Sequence, residues 1–217
     1  MTRPKSENLI VAAPVKPAES ISKLINSLSG LSRPLAATRG REGIKLIDEH
    51  SEFIVILILE GSIEIWRNRD ELLVATSYAP AIIGLQGSEF RYQTHTFTPQ
   101  PESKIAWLSR QTALDAIKAH DLMEDMITYQ SYMNDQQTYR DFLMINSSSY
   151  EIICRLLTEI SERPDFHEIR VEQYILTRTR LARSGVMKML ADLRFGGFIE
   201  MEKGKLLRIN LPFPKNY

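Results

Sequence analysis

The stretch from residue 171 to 209 opens with Val171-Glu-Gln-Tyr-Ile175. It continues with Leu181-Ala-Arg-Ser-Gly-Val-Met-Lys-Met-Leu-Ala-Asp-Leu193 and closes with Gly196-Gly-Phe-Ile-Glu-Met-Glu-Lys-Gly204-Lys-Leu-Leu-Arg-Ile209. A short helix is predicted over 172–176. A longer one is predicted over 182–195, because Val186, Met189, Leu190 and Leu193 recur at spacings of three and four. Gly196-Gly197 ends that helix. Two short runs, 198–201 and 206–210, then flank Lys203-Gly204-Lys205 as a hairpin. Helix, turn, helix and hairpin is the order of parts in a winged helix-turn-helix, which docks its second helix in the DNA major groove.

The apolar row of 182–195 should pack against Ile152, Leu156 and Ile175, which leaves Arg183, Ser184, Met187, Lys188 and Ala191 on the opposite side. Arg183 and Lys188 suit guanine O6 and N7, Arg183 as a bidentate donor, and Ser184 both donates and accepts. A good bidentate contact is worth about 1–3 kcal/mol of discrimination. Arg178 and Arg180 in the turn, with Lys203 and Lys205 at the hairpin tip, suit phosphates and set register. Gly185 inside the helix costs about 1 kcal/mol relative to alanine. Either close approach to DNA or close packing on another helix would account for it.

Charge supports the same reading. Residues 170–217 hold ten Lys/Arg against four Asp/Glu, although the whole chain has 27 of each. The preceding 169 residues therefore hold 17 basic and 23 acidic groups. A basic block on an acidic body is the electrostatic footprint of a DNA-binding domain.

Outward from this block, 217 residues allow one or two domains. Residues 1–20, with Pro4, Pro14 and Pro17, are expected to form a flexible arm. Ile21, Leu24, Ile25 and Leu28 predict an amphipathic helix that stops at Gly30. Short strands are expected at 43–47, 52–59, 62–67, 72–78, 81–85, 90–96 and 104–109, with turns at Glu60-Gly61 and Asn68-Arg69-Asp70. That spacing predicts a small antiparallel barrel or jelly roll over 21–120. The run 53–59 is the longest apolar one and has seven residues, too few to span a membrane. No signal-peptide core occurs in the first twenty residues, so a cytoplasmic protein with no membrane partner is expected.

A short helix should follow from Arg110 to about His120, and a long one from 121 to 146 with Asp121 as its N-cap. Leu122, Met126, Tyr129, Met133, Gln136, Arg140 and Leu143 step along it by four and three. This is a heptad seam, weakened by Gln136 and Arg140, and it predicts a two-stranded homodimer interface. A helix packed on its own domain would show the same spacing. Asn146-Ser-Ser-Ser149 reads as a hinge, and a winged reader is expected over 147–217, opening with a helix at 150–161.

A barrel containing Glu60-Gly61-Ser62-Ile63-Glu64-Ile65, a long dimer helix and a C-terminal winged reader together resemble the cyclic-AMP receptor/FNR superfamily of transcription regulators. The resemblance spans about 40–210. Ala79-Pro-Ala-Ile-Ile-Gly-Leu85 looks like part of that family's barrel, and Ala182-Arg-Ser-Gly-Val-Met-Lys188 like its recognition helix. It implies an α+β protein with a cyclic-nucleotide-binding-like β-roll, acting on double-stranded DNA as a homodimer. RNA polymerase is a further partner that it admits. By that match Arg183 and Lys188 fall at base-reading positions, and Ser184 replaces an acid. Within the superfamily the chain resembles an enterobacterial subgroup tied to oxidative-stress and virulence control.

Two departures bear on cofactors. Gly84 is followed directly by Leu85-Gln86-Gly87, with no acid among them, and Ser88-Glu-Phe-Arg-Tyr-Gln-Thr-His95 lacks the Arg-Ser/Thr pair that holds a cyclic phosphate in the family. An anionic phosphate without its pairing cation is poorly held. No cofactor is expected, cyclic nucleotides included, and the effector, if one exists, is left open.

Other chemistry is thin. His50, His95, His120 and His167 are scattered without ligand spacing. Cys154, the sole cysteine, reads as a buried thiol with redox sensing as the rival, and no disulfide is available. Trp66, Trp107, Phe90 and Tyr92 are expected to line the barrel, with Arg91 a nearby cation. No phosphate loop or nucleophile elbow appears, so an enzyme is not expected. A protein-interaction adaptor keeping the regulator fold is the alternative from another class, though it needs no basic face. A cupin-type enzyme would need more histidines than this barrel has.

Overall fold

The seven-residue apolar run becomes strand β2 (Ile54–Glu60), sandwiched between two layers. Ile54, Ile56 and Ile58 point into a roll interior shared with Leu46, Ile63, Phe97 and Ile105. Val55 and Leu57 point the other way, onto helices α1 (Ala18–Ser29), α2 (Arg110–Ala119) and α3 (Met123–Ile145). A strand covered on both faces is apolar at successive positions rather than alternate ones. The computed structural model describes residues 12–35, 43–86, 94–145 and 147–214.

One sheet runs β1 (Arg33–Pro34), β7 (Lys104–Ser109), β2, β5 (Ala81–Ile83), and the other β4 (Leu72–Tyr78), β3 (Ser62–Arg67), β6 (His95–Pro99). All these pairings are antiparallel. Gly61, at φ 77°, carries the chain from one sheet to the other, and a Cβ there would stand 2.3 Å from Ser103 Oγ. Glycine is the residue that this corner tolerates.

The strand expected at 90–96 is observed as β6, His95–Pro99, and residues 90–93, with Phe90, Arg91 and Tyr92, lie outside the described residues. The strand expected at 43–47 reduces to two isolated bridges, Ile44 with Phe97 and Ile47 with Phe53. Helix α1 begins at Ala18, inside the expected arm. The residues just before it are tethered: Gln136 Nε2 donates to the Pro14 carbonyl (3.2 Å) and Lys16 Nζ to that of Tyr78 (2.7 Å).

Two expectations for the long helix are corrected. Asp121 does not cap α3; at φ 56° it terminates α2, its N–H donating to the Lys118 carbonyl while Leu122 N–H donates to that of Ile117. That is a Schellman ending, which requires a left-handed residue. The first part of the heptad seam, Leu122 to Met133, faces the chain's own roll. Met126 and Tyr129 are buried in the core beneath α1, and Leu122 and Met133 pack against it. Tyr129 is 1 % exposed, and its hydroxyl donates to the Ile82 carbonyl (2.7 Å) and accepts from Ile82 N–H (3.0 Å). It has no surface to give a partner.

The C-terminal unit follows the sequence closely. Helix α4 (Ser149–Ser161) starts with a capping box, in which Ser148 Oγ accepts from Glu151 N–H and Glu151 Oε2 from Ser148 N–H. Helix α5 (Val171–Arg178), helix α6 (Arg183–Phe195) and the hairpin β8 (Ile199–Glu202) and β9 (Lys205–Ile209) complete it. Ile153, Leu157, Ile160, Ile175, Val186, Leu193 and Leu206 form its core. Among the described residues no helix is long and apolar enough to cross a membrane.

Candidate nucleic-acid interface

Helix α6 is divided lengthwise. Val186, Leu190 and Leu193 are buried against α4 and α5, and Met189 packs beside them. Arg183, Ser184, Gly185, Met187, Lys188 and Ala191 are all exposed. The three residues expected to read bases therefore share one open face. A Cβ on Gly185 would meet nothing within 4 Å, so close helix packing does not account for this glycine.

The arginines around that face are each engaged by the chain itself. Arg178 lies 3.5 Å from the centroid of the Tyr174 ring and donates to the Tyr174 carbonyl (3.4 Å) and Thr177 Oγ1 (3.3 Å). Its half-buried position suits holding the end of α5 as much as reaching a phosphate. Arg180 is exposed, with Nε 3.7 Å from Asp70 Oδ2 at the tip of the β3–β4 hairpin. Asp70 also accepts from Arg67 Nε and Nη2, both at 2.8 Å, and this pairing holds its carboxyl below the ordinary carboxylate range. Arg183 Nε lies 2.5 Å from Glu172 Oε1.

At the hairpin tip Lys203 and Gly204 form the two-residue turn, at φ 49° and 81°, and Lys203 sits 3.9 Å from Glu202. Such primed turns match the twist of paired strands. Lys205 is half-buried and bridges to Arg170, which sets it back from the tip.

A second tie joins roll and reader. Arg163 Nη1 donates to Tyr78 Oη (2.7 Å) while Nε and Nη2 hold Asp165 (2.9 Å each). Inside the reader, Tyr174 Oη donates to Glu159 Oε1 (2.5 Å), and burial together with that acid pushes the phenol up. Cys154 is buried on α4, and burial raises its thiol, which works against the reactive thiolate. No group of three or more metal-ligating side chains occurs among the described residues.

Sequence reasoning missed Glu172 and Asp70. Glu172 lies 11 positions before its arginine, across a turn, and Asp70 lies 110 before Arg180. Neither spacing carries a local signal.

Comparison with known proteins agrees with this geometry. Residues 149–214 match the family described as winged helix-turn-helix DNA binding. The inhibitor of hydrogen peroxide resistance from Escherichia coli (strain K12) is 31 % identical over 199 residues, covering 90 % of this chain and 95 % of that protein. Among solved structures, the c-di-GMP responsive global regulator CLP of Xanthomonas campestris superposes with TM-score 0.63 at 15 % identity, over 88 % of this chain and all of that one. A transcriptional regulator of the crp/fnr family from Eubacterium rectale superposes with TM-score 0.56 at 14 % identity, over 87 % and 90 %. The two structural likenesses fix the fold, and the full-length sequence match fixes the branch. The chain belongs to the family of the inhibitor of hydrogen peroxide resistance, with a winged helix-turn-helix over 149–214 and the fold of Crp/Fnr regulators.

Proposed function

We propose that the protein is a homodimeric regulator that reads a two-fold-symmetric DNA site through Arg183, Ser184 and Lys188. The observation that carries this reading is the open face of α6, where those three side chains stand together opposite a fully buried row. Arg180 and Lys203 border the face as phosphate contacts, with Arg178 and Lys205 behind them. The outward side of α3 supports dimerisation. Met123 (38 % exposed), Ile127 (56 %) and Phe142 (41 %) lie on it with Ser131, Asn134 and Thr138 between, at steps of four and three. This face replaces the buried seam as the pairing surface, and a dimer supplies the symmetric pair that half-site recognition uses. Bound to DNA, the regulator acts through RNA polymerase.

The roll works here without a cyclic nucleotide held in the usual manner. Ile56, Ile58, Ile63 and Phe97 are buried in its interior, and Leu85-Gln86-Gly87, directly after Gly84, hold no acid. The name of the Escherichia coli relative supports a role in oxidative-stress control.

The test is selection of genome fragments by the purified full chain, beside an Arg183→Ala/Lys188→Ala double variant, at two salt concentrations and with and without micromolar cyclic AMP. One palindromic motif should be enriched, vanish in the variant and be unchanged by the nucleotide. Weak, unselective binding of equal salt sensitivity in both proteins would mean backbone attraction alone and would sink the reading.

A further inference from the structure

We propose that Glu172 is the positioning residue of this reader: it fixes the Arg183 guanidinium for a guanine and so sets base selectivity without touching DNA. The inference rests on the reading of Arg183 as a base contact.

Arg183 occupies the first position of α6, and its side chain is 75 % exposed. An arginine there meets the positive end of the helix dipole and is free to spread over many rotamers. A side chain so placed reads a base poorly, because its guanidinium has to be ordered when DNA arrives. Glu172 supplies the missing order. Its carboxylate is 29 % exposed and belongs to the first turn of α5, where the dipole favours an acid. That helix is anchored by Val171 and Ile175, both fully buried. The acid approaches Arg183 through Nε. The Nη1 and Nη2 edge is then left for a base, and this edge matches guanine O6 and N7 as a bidentate pair.

The other two arginines differ in kind. Arg178 is wrapped on a ring of its own helix, and Arg180 is tied to the roll. Among the described residues, the Glu172 contact is the one that holds a base-reading side chain from within the reader. It also opposes DNA in general, since a carboxylate beside the binding face repels phosphate. Removing it should therefore move specific and non-specific affinity in opposite directions.

The experiment uses the full chain and Glu172→Gln, which keeps shape and loses charge. Affinities are measured for the motif selected by the wild type, for a scrambled duplex, and for motifs in which each guanine in turn is 7-deazaguanine, which lacks N7. In the variant the ratio of motif to scrambled affinity should fall about tenfold, within the range of one bidentate contact. Affinity for the scrambled duplex should hold or rise. One 7-deazaguanine substitution that weakens the wild type should no longer weaken the variant. Loss of affinity for both duplexes together would indicate damage to the fold and overturn the assignment. So would an unchanged ratio with the 7-deazaguanine penalty intact, or a rise in the ratio, which would make Glu172 a mask. If the wild type selects no motif, the base-reading role of Arg183 falls and this inference with it.

Discussion

In the roll, Arg67 pairs with Asp70 and Lys104 with Glu60, over an interior of isoleucine and phenylalanine. In the reader, basic residues outnumber acidic ones, and the acids near Arg183 and Lys203 restrain individual side chains without neutralising the block. The roll uses its sequence on packing, and the reader divides its own between a small core and a surface. A change inside the roll should therefore appear first as lost stability. A change on the α6 face should appear as lost binding by a protein that still folds.

The largest expected effect tests the first half of that contrast. Ile56 is buried in the strand covered on both faces, and Ile56→Ala should cost about 2–5 kcal/mol, read by thermal or denaturant unfolding. The Arg183→Ala/Lys188→Ala variant should unfold like the wild type. If both variants lost stability equally, the division between packing and surface would fail.

A smaller effect sits where the roll meets α3. β5 is an edge strand, and the Tyr129 hydroxyl satisfies both polar groups of Ile82 that the edge leaves open. Tyr129→Phe strands that buried N–H and carbonyl and should cost about 1–3 kcal/mol. Burial pushes the Tyr129 phenol up to about 12 from 10.0. The neutral phenol's contribution is thus fully present below pH 10 and declines as pH rises from 10 towards 12. Melting curves across that window should slope downward for the wild type and less steeply for the variant. Parallel slopes would remove Tyr129 from the account.

The same contrast explains what the sequence made legible. The reader was readable because its information is local: the three-and-four row in α6 and the Lys203-Gly204 turn each involve neighbours in the chain. The strands were readable where turn residues punctuate them, and β7 is observed over the residues expected. The first part of the heptad seam misled because periodicity reports that a face is buried and not what buries it. Here α1 and the roll cover Met126 and Tyr129. Asp121 misled for a related reason, since a residue between two helices can end the first or begin the second, and a left-handed φ decides. Glu172 and Asp70 were illegible because ion pairs across a turn or between domains leave no spacing to read.

The smallest expected effect lies where the two regions touch. Asp70 belongs to the roll, yet it stands 3.7 Å from Arg180, a side chain proposed to hold phosphate. Arg180 is largely exposed and an ion pair on such a side chain contributes little, so Asp70→Asn should raise DNA affinity only a few-fold. The gain should shrink at high salt, where the competing charges are screened. Because Arg67 holds the Asp70 carboxyl below the ordinary range, the contact is fully present above that range and is lost only as pH falls through the lowered value. Mild acidification should leave the restraint in place, whereas the substitution removes it at neutral pH. Titration of a labelled duplex at two salt concentrations would measure both. A fall in affinity on Asp70→Asn would reverse the sign of the comparison, making the hairpin a support that presents Arg180 to DNA rather than a restraint that competes for it.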